Sequence, residues 1–416
     1  MQMAGKEFLT LDDFDFAGKT VLVRVDLNSP YDAPTGKIEE SERLVAHAQT
    51  IRELSKKGAK VVVLAHQGRA GDEDFIHLGQ HAEFLSAKVH KKVKFVADII
   101  GPEAVKQIQK LANGRILLLD NVRFLAEETM ELPAEQHAKS VFVRTLAPLA
   151  QAFVNDAYSV AHRAHCSVVG FTAVLPSFAG RVMEAEVNGN TKAREKAEHP
   201  NVYVLGGAKP DDCVKLLKAA ASDPAVDKIL AGGVIGELCL IAKGADLGKP
   251  TLEALDKNKW LKDLAVVKDA LSRDSAGKIE VPVDLAFEEN GQRQEALMSQ
   301  MPAPRAVGDI GSKTALKFSE FIKTAKSVYV KGPLGTYEKP AFELGTKLVF
   351  EALAKTKAFS LVGGGHTLSA LEKFGISKKK LGHVSLAGGA LLTYLCGEPL
   401  PGVEALKKSA QAAQKA

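Results

Sequence analysis

Aromatic residues make up only 6% of the chain, and tryptophan occurs once. A surface that stacks unpaired bases needs several aromatic platforms beside a basic stripe, so a nucleic-acid partner is not expected. The formal charge of +5 is modest, and the basic residues are interleaved with acids along most helical patterns. Such an excess suits small, multiply charged anions. Four cysteines, Cys166, Cys213, Cys239 and Cys396, lie far apart with no C-x-x-C pair. Reduced, mostly buried thiols are expected rather than a disulfide framework. The start "MQMAGKEFLTLDDF" has no apolar signal segment, and the most apolar run, "ILAGGVIGELCLIA" (229–242), is short and carries Glu237. It cannot cross a bilayer. A cytoplasmic chain with no membrane partner is expected.

Familiar phosphate-binding signatures are missing too. No GxxxxGK[ST] occurs, and "GDIGSKT" (308–314) echoes it with the wrong spacing. No well-placed GxGxxG precedes a ribose-binding acid, which disfavours a dinucleotide site and an NAD-dependent oxidoreductase. Nothing corresponds to the H-R-D and D-F-G elements of protein kinases.

What the chain does contain is a rhythm. Short β-branched runs such as "TVLVRVDLN", "KVVVLAHQG", "RILLLDN" and "AQAFVNDAY" alternate with amphipathic patterns. In "SERLVAHAQTIRELSKKG" (41–58), Leu44, Val45, Ala48, Ile51 and Leu54 are expected on one helical face. Near-continuous apolar strands between helices predict parallel sheets covered on both faces. The rhythm restarts after residue 200 with "VYVLGG", "KILAGG", "SVYVKG", "FSLVGGG" and "HVSLAGG". At 416 residues the chain exceeds the usual size of one core. The expected fold is α/β: two Rossmann-like three-layer αβα domains with mainly parallel sheets, joined by a hinge helix. The first domain is placed at 1–178, the helix and linker at 179–200, and the second domain at 201–395. The tail 396–416 is expected to pack back on the first.

Ligands of such sheets sit at the carboxyl ends of strands, and there the halves differ. "RVDLN", "AHQGR", "DNVRF" and "VNDAYSVAHRAH" place arginine or histidine at or beyond strand ends in the first half. Converging guanidinium groups grip phosphate and carboxylate bidentately. In the second half "GGAK" (206–209), "KGPLGTYE" (331–338) and "GGGHT" (363–367) offer backbone N–H groups, which suits nucleotide phosphates.

The ordered set "VRVDLNSP", "AHQGRAGDEDF", "LLLDNVRF", "FVNDAYSVAHRAHCS", "GGAKPDD", "KGPLGTYE", "GGGHT" and "LAGGALLTYLCGEPLPGVEAL" resembles the phosphoglycerate kinase family across essentially the whole chain. Details such as "GGGHT" are most similar to its archaeal branch. The resemblance implies reversible phosphoryl transfer from 1,3-bisphosphoglycerate to Mg-ADP, giving 3-phosphoglycerate and ATP, by in-line transfer with closure of the domains. By position it implies that Asp26, Leu27, Asn28, His66, Gln67, Gly68, Arg69, Arg123 and Arg163 bind the glycerate. Arg43 would bind it too and orient the reacting carboxyl, with Lys209 accompanying the transferred group; these two are the catalytic pair. Glu338, Gly364, Gly365, His366 and Thr367, with Lys209, would hold ATP or ADP. Magnesium is the implied cofactor, with no protein ligand assigned. A monomer is expected, with a dimer left open. Three positions depart from the family's pattern: Cys213 replaces a second lysine, His366 an aspartate near the metal, and Lys331 an asparagine. Lys331 and Lys215 are the candidates for replacing the lost positive charge. These departures leave, as the alternative, a catalytically weak nucleotide- or phosphate-binding relative.

Overall fold

The computed structural model describes residues 6–207 and 210–415, and these form two compact units, 1–187 with 399–416 and 188–398. In the first unit, the buried strand Thr20–Arg24 is central to a six-stranded parallel sheet. Lys60–Leu64, Ile116–Leu118 and Val93–Phe95 step outward on one side, and Ala152–Asn155 and Ser177–Ala179 on the other. The pleat sends alternate residues to opposite faces. Val21, Val23, Val61 and Val63 pack with Leu44, Ile51, Leu54 and Leu85 of the covering helices. Leu22, Val62 and Leu117 pack with Ile108, Phe142 and Leu146 beneath. Continuous apolar strands are thus buried on both faces.

The helix Glu42–Lys56 starts where the Ser41 side chain accepts a hydrogen bond from the Leu44 N–H at 3.2 Å, a capping arrangement that satisfies an orphan donor. Leu44, Ala48, Ile51 and Leu54 are buried, but Val45 is 43% exposed. Its position beside Leu44 turns it about 100° away from the packed stripe. The capped start places Arg43 in the first turn.

In the second unit, Asn201–Leu205 is central, with Lys228–Ala231 and Ile279–Glu280 on one side and Ser327–Lys331, Phe359–Gly363 and His383–Ser385 on the other. All these pairings are parallel. Tyr203 and Leu205 face one core, Val202 and Val204 the other. A separate antiparallel sheet joins Asp284–Glu289 to Gln292–Leu297 and Val307–Ile310.

The helix Arg181–Ala193 contains the boundary between the units. The last helix, Pro401–Lys415, returns to the first unit, where Gly402 N–H donates to the Ala161 carbonyl at 2.8 Å and Ala410 joins the core. All four cysteines are free thiols. No described helix is long and apolar enough to cross a membrane.

Candidate active site

In each sheet the chain leaves the central strand to one side and later returns on the other. The strand ends flanking that switch are where open α/β sheets bind ligands. In the first unit they are the ends of Thr20–Arg24 and Ala152–Asn155, and Asp26 sits just beyond the first. It is 1% exposed, and one of its oxygens accepts from the Asn28 N–H at 2.9 Å. The other accepts from Ser159 Oγ at 2.5 Å and Arg43 Nη1 at 3.1 Å. Burial opposes ionisation, but the Arg43 guanidinium and the Ser159 hydroxyl hold its pKa below the usual carboxylate range. Asp26 therefore fixes Arg43 as a charged partner.

Beneath this pair lies a charge network with no access to water. Arg24 is fully buried, its Nε donating to Ser167 Oγ at 2.7 Å, Nη1 to the Val25 carbonyl, and Nη2 lying 3.1 Å from His66 Nδ1. Glu128, equally buried, lies 3.7 Å from Arg24 and accepts from Ser167 through both its carboxylate oxygens. A buried guanidinium needs such a counter-charge. Burial drives the His66 pKa well below its ordinary value, so His66 is a neutral ring positioned by Arg24.

Above the network the arginines outnumber the acids. Arg123 is half-buried, donates to the Gly68 carbonyl, and has a buried Nε with no partner. Burial, then the field of Arg24 and more weakly those of Arg163 and Arg69, lower its pKa to about 10 against the opposing field of Glu128. Arg163 contacts His162 at 3.3 Å, whereas Arg69 is exposed. Among the described residues, no carboxylate lies within ion-pair distance of Arg69, Arg123 or Arg163. Three cations in mutual repulsion without carboxylate partners form a site prepared for an anion.

Two expected contacts turn inward instead. Leu27, in the irregular segment that follows the strand Thr20–Arg24, sends its apolar side chain into the hydrophobic core, while the Asn28 N–H turns back onto Asp26. Gln67 is fully buried, accepting from Ser29 N–H at 2.8 Å and donating to the Ser29 carbonyl and Asp74. It braces the loop that presents Gly68, whose N–H donates to Asn28 Oδ1 at 2.9 Å. Arg24, Glu128 and Ser159 are the members that sequence reasoning missed. The signal for Arg24 was a single arginine inside the apolar run "TVLVRV".

At the switch point of the second sheet, three glycine turns interlock. Gly207 N–H donates to the Pro333 carbonyl, and Gly233 N–H to the Leu334 carbonyl at 3.0 Å. A Cβ on Gly332 would strike the Gly206 backbone, so these glycines permit close approach of loop to loop. Thr367 is buried, accepting from Gly332 N–H at 2.8 Å and donating to the Gly363 carbonyl at 2.9 Å. Its hydroxyl ties two turns together and is not free for a phosphate. Gly364 caps the helix Gly365–Lys373, and a Cβ on Gly365 would meet open space.

These turns border a cavity of ≈ 530 Å³ lined by Gly207, Val234, Leu255, Trp260, Glu338 and His366, among others. His366 Nδ1 lies 4.0 Å from Glu338 Oε1, both side chains more than half exposed. Lys331 pairs with Asp212 at 3.1 Å, whereas Lys215 is exposed on the helix Pro210–Ser222. Cys213 is buried, its thiol 3.2 Å from the Gly206 carbonyl and its pKa pushed up to about 12 by burial. A thiol in that state supplies no charge. Lys209 lies outside the described residues. No three His, Cys, Asp or Glu side chains gather as a metal centre among the described residues.

The sequence matches the family model of phosphoglycerate kinase over residues 11–398. It is 41% identical over 413 residues to the phosphoglycerate kinase of Sulfurisphaera tokodaii, covering 98% of each chain. With that of Saccharolobus solfataricus it shares 43% over 404 residues, covering 96% of this chain and 97% of the other. The fold is similar to the crystal structure of phosphoglycerate kinase from Pyrococcus horikoshii, with a TM-score of 0.86 at 36% identity, covering 97% of this chain and 99% of that one. Such breadth does not favour the weakly catalytic alternative. A cation-rich sheet edge in one unit, a glycine-framed cavity in the other, and likeness along nearly the full length lead to one conclusion: the chain belongs to the phosphoglycerate kinase family.

Proposed function

We propose that the first unit binds 3-phosphoglycerate or 1,3-bisphosphoglycerate and the second binds Mg-ADP or Mg-ATP, with the acyl phosphoryl group moving between them. The observation that carries the first assignment is the trio Arg69, Arg123 and Arg163, charged and without carboxylate partners among the described residues. A glycerate phosphate and carboxylate supply the missing negative charge. His66, neutral and held by Arg24, serves as a hydrogen-bond partner, and Asn28 with the Gly68 N–H borders the same loop.

In the direction of ATP use the nucleophile is a carboxylate, ionised near neutral pH because its pKa is about 4. No general base is required. The work left to the protein is alignment and charge neutralisation. Arg43, oriented by Asp26, meets the reacting carboxyl, and Lys209 accompanies the moving phosphoryl. An acyl phosphate is lost to water, so transfer also requires its exclusion.

Glu338 faces the cavity where ribose hydroxyls would lie, and the helix start at Gly364–Gly365 turns its free N–H groups to the phosphates. Magnesium arrives as part of the nucleotide, held by phosphate oxygens and water. Lys331, although paired with Asp212, supplies positive charge at the end of the strand Ser327–Lys331, two residues before Pro333, which lines this cavity. In this reading it takes over from the lysine replaced by Cys213. The chain works as a monomer in the cytoplasm.

A coupled assay with 3-phosphoglycerate, ATP and magnesium tests the reading directly. Formation of acyl phosphate, suppressed by Arg43→Ala, is the expected result; binding of both ligands without turnover would reinstate the weakly catalytic alternative.

A further inference from the structure

Buried carboxyl groups are engaged almost everywhere in this molecule. Asp26, Glu128, Asp156 and Asp284 each accept hydrogen bonds from neighbouring donors. Glu237 is the exception. It is 9% exposed, yet has no hydrogen bond or ion pair among the described residues. A carboxyl nine-tenths buried that relies on residual solvent contact rather than on a protein donor calls for a reason.

Its position supplies one. Glu237 lies on the helix Gly233–Ala242, one turn along from Gly233 and Val234, and all three line the ≈ 530 Å³ cavity. The turns at Gly207 and His366 border the same cavity, as does Glu338. With phosphates at the glycine turns and ribose at Glu338, the base is left the wall formed by Val234, Leu255 and Trp260. Glu237 is the polar group on the helix behind that wall.

We propose that Glu237 is a specificity-determining residue that reads the six-position edge of a bound purine. This assignment rests on the nucleotide reading of the cavity. Burial pushes its pKa up to about 8, so near neutral pH the carboxyl is protonated and presents one O–H donor beside one carbonyl acceptor. Adenine offers the complement, a ring N1 acceptor next to an exocyclic amino donor. The pair forms two hydrogen bonds without introducing a charge. A site built to hydrogen-bond a substrate group rejects the analogue that lacks it, because its own polar atoms are then left unpaired.

The chain's single tryptophan, Trp260, lines the same cavity, so its emission reports occupancy. ADP and purine riboside 5′-diphosphate, which lacks only the amino group, are titrated against the intact chain and against Glu237→Ala and Glu237→Gln. ADP is expected to bind about ten-fold more tightly than the analogue in the parent, the worth of roughly one charge-free hydrogen bond. Glu237→Ala should reduce that ratio to below two-fold. Glu237→Gln, which keeps one donor and one acceptor, should preserve it. KM for the nucleotide should rise in Glu237→Ala while KM for 3-phosphoglycerate stays unchanged. An ADP-dependent signal with the same ratio in the parent and Glu237→Ala overturns the assignment alone. Trp260 emission unmoved by ADP during turnover overturns the nucleotide reading of the cavity, and the assignment with it.

Discussion

The first unit buries arginine and histidine at its strand ends, while the second opens main-chain amides and buries one carboxyl, Glu237, that has no hydrogen bond among the described residues. In the first, Arg24 is compensated by Glu128 and Arg43 by Asp26, leaving Arg69, Arg123 and Arg163 without carboxylates among the described residues. In the second, Lys331 is already paired with Asp212, and the cavity's polar lining mixes Glu237, Glu338, His366 and Lys339 with uncharged Thr251, Asn258 and Thr336. The same sheet architecture is thus tuned at its switch point by side chains in one case and by backbone in the other. A guanidinium cluster identifies its ligand by charge and fork geometry. A glycine frame identifies its ligand by shape and by N–H direction.

The largest expected effect comes from Arg43→Ala. Removing one preorganised cation from a transferring phosphoryl group should lower kcat by roughly 10²–10³-fold, measured in the coupled assay. ADP quenching of Trp260 should be untouched, because the change lies in the other unit. An equal loss of nucleotide affinity would break the division of labour.

Next come substitutions that affect binding more than turnover. Arg123→Ala or Arg163→Ala should raise KM for 3-phosphoglycerate by roughly 10–100-fold, the worth of a charge-assisted hydrogen bond, and leave nucleotide KM alone. Glu338→Ala should do the reverse, by about ten-fold at most. Crossed effects in either variant would show that the two sites are not separable.

The pH response sharpens the contrast. His81 is buried, and burial lowers its pKa to about 4; burial, then Arg163, lowers that of His165 to about 3. Each folded pKa lies below the unfolded value of 6.5. The neutral ring is the stabilising form, so stability is complete above pH 6.5 and declines as pH falls towards 4 and then 3. At pH 5 the loss from His81 is about 2 kcal/mol. Glu237 acts oppositely, since its folded pKa of about 8 exceeds the unfolded 4.5. Its contribution is complete below pH 4.5 and is lost as pH rises through 8, so acidification from pH 7 to 5 recovers about 2 kcal/mol. Hydrogen exchange followed by mass spectrometry should show peptides of the first unit losing protection at pH 5 before those of the second. Simultaneous loss would mean the halves share one acid-sensitive determinant.

Much of this was legible in the sequence, and the lapses share a cause. Apolar strands ending in polar residues marked both sheets and both switch points. Leu27, the apolar residue between Asp26 and Asn28, goes to the core as its side chain suggests, a preference the motif match obscured. Gln67 illustrates the harder case: its partners Ser29, Asp74 and His81 come from separated segments, which no local pattern connects. Arg24 and Glu237 each stood out as one charge in an apolar run. Whether such a charge is compensated, as Arg24 is by Glu128, or left unpartnered, as Glu237 is, depends on what the fold packs against it. Cys213 likewise became interpretable only once its burial was known.

The smallest effect expected is also the most direct check on the backbone half of the comparison. A Cβ at Gly365 meets nothing within 4 Å, at the first position of the helix Gly365–Lys373. Gly365→Ala should therefore leave thermal stability within about 0.5 kcal/mol, or raise it slightly, since alanine restricts the unfolded chain. Empty space there has two readings. If the helix start meets nucleotide phosphates, the added methyl intrudes on them, and ADP affinity should fall about three-fold while stability holds, an effect of under 1 kcal/mol. If the glycine serves only the turn, affinity and stability both stay put. Trp260 quenching by ADP beside a thermal melt separates the two, and an unchanged affinity would transfer the phosphate contact from this helix start to the turn at Gly207.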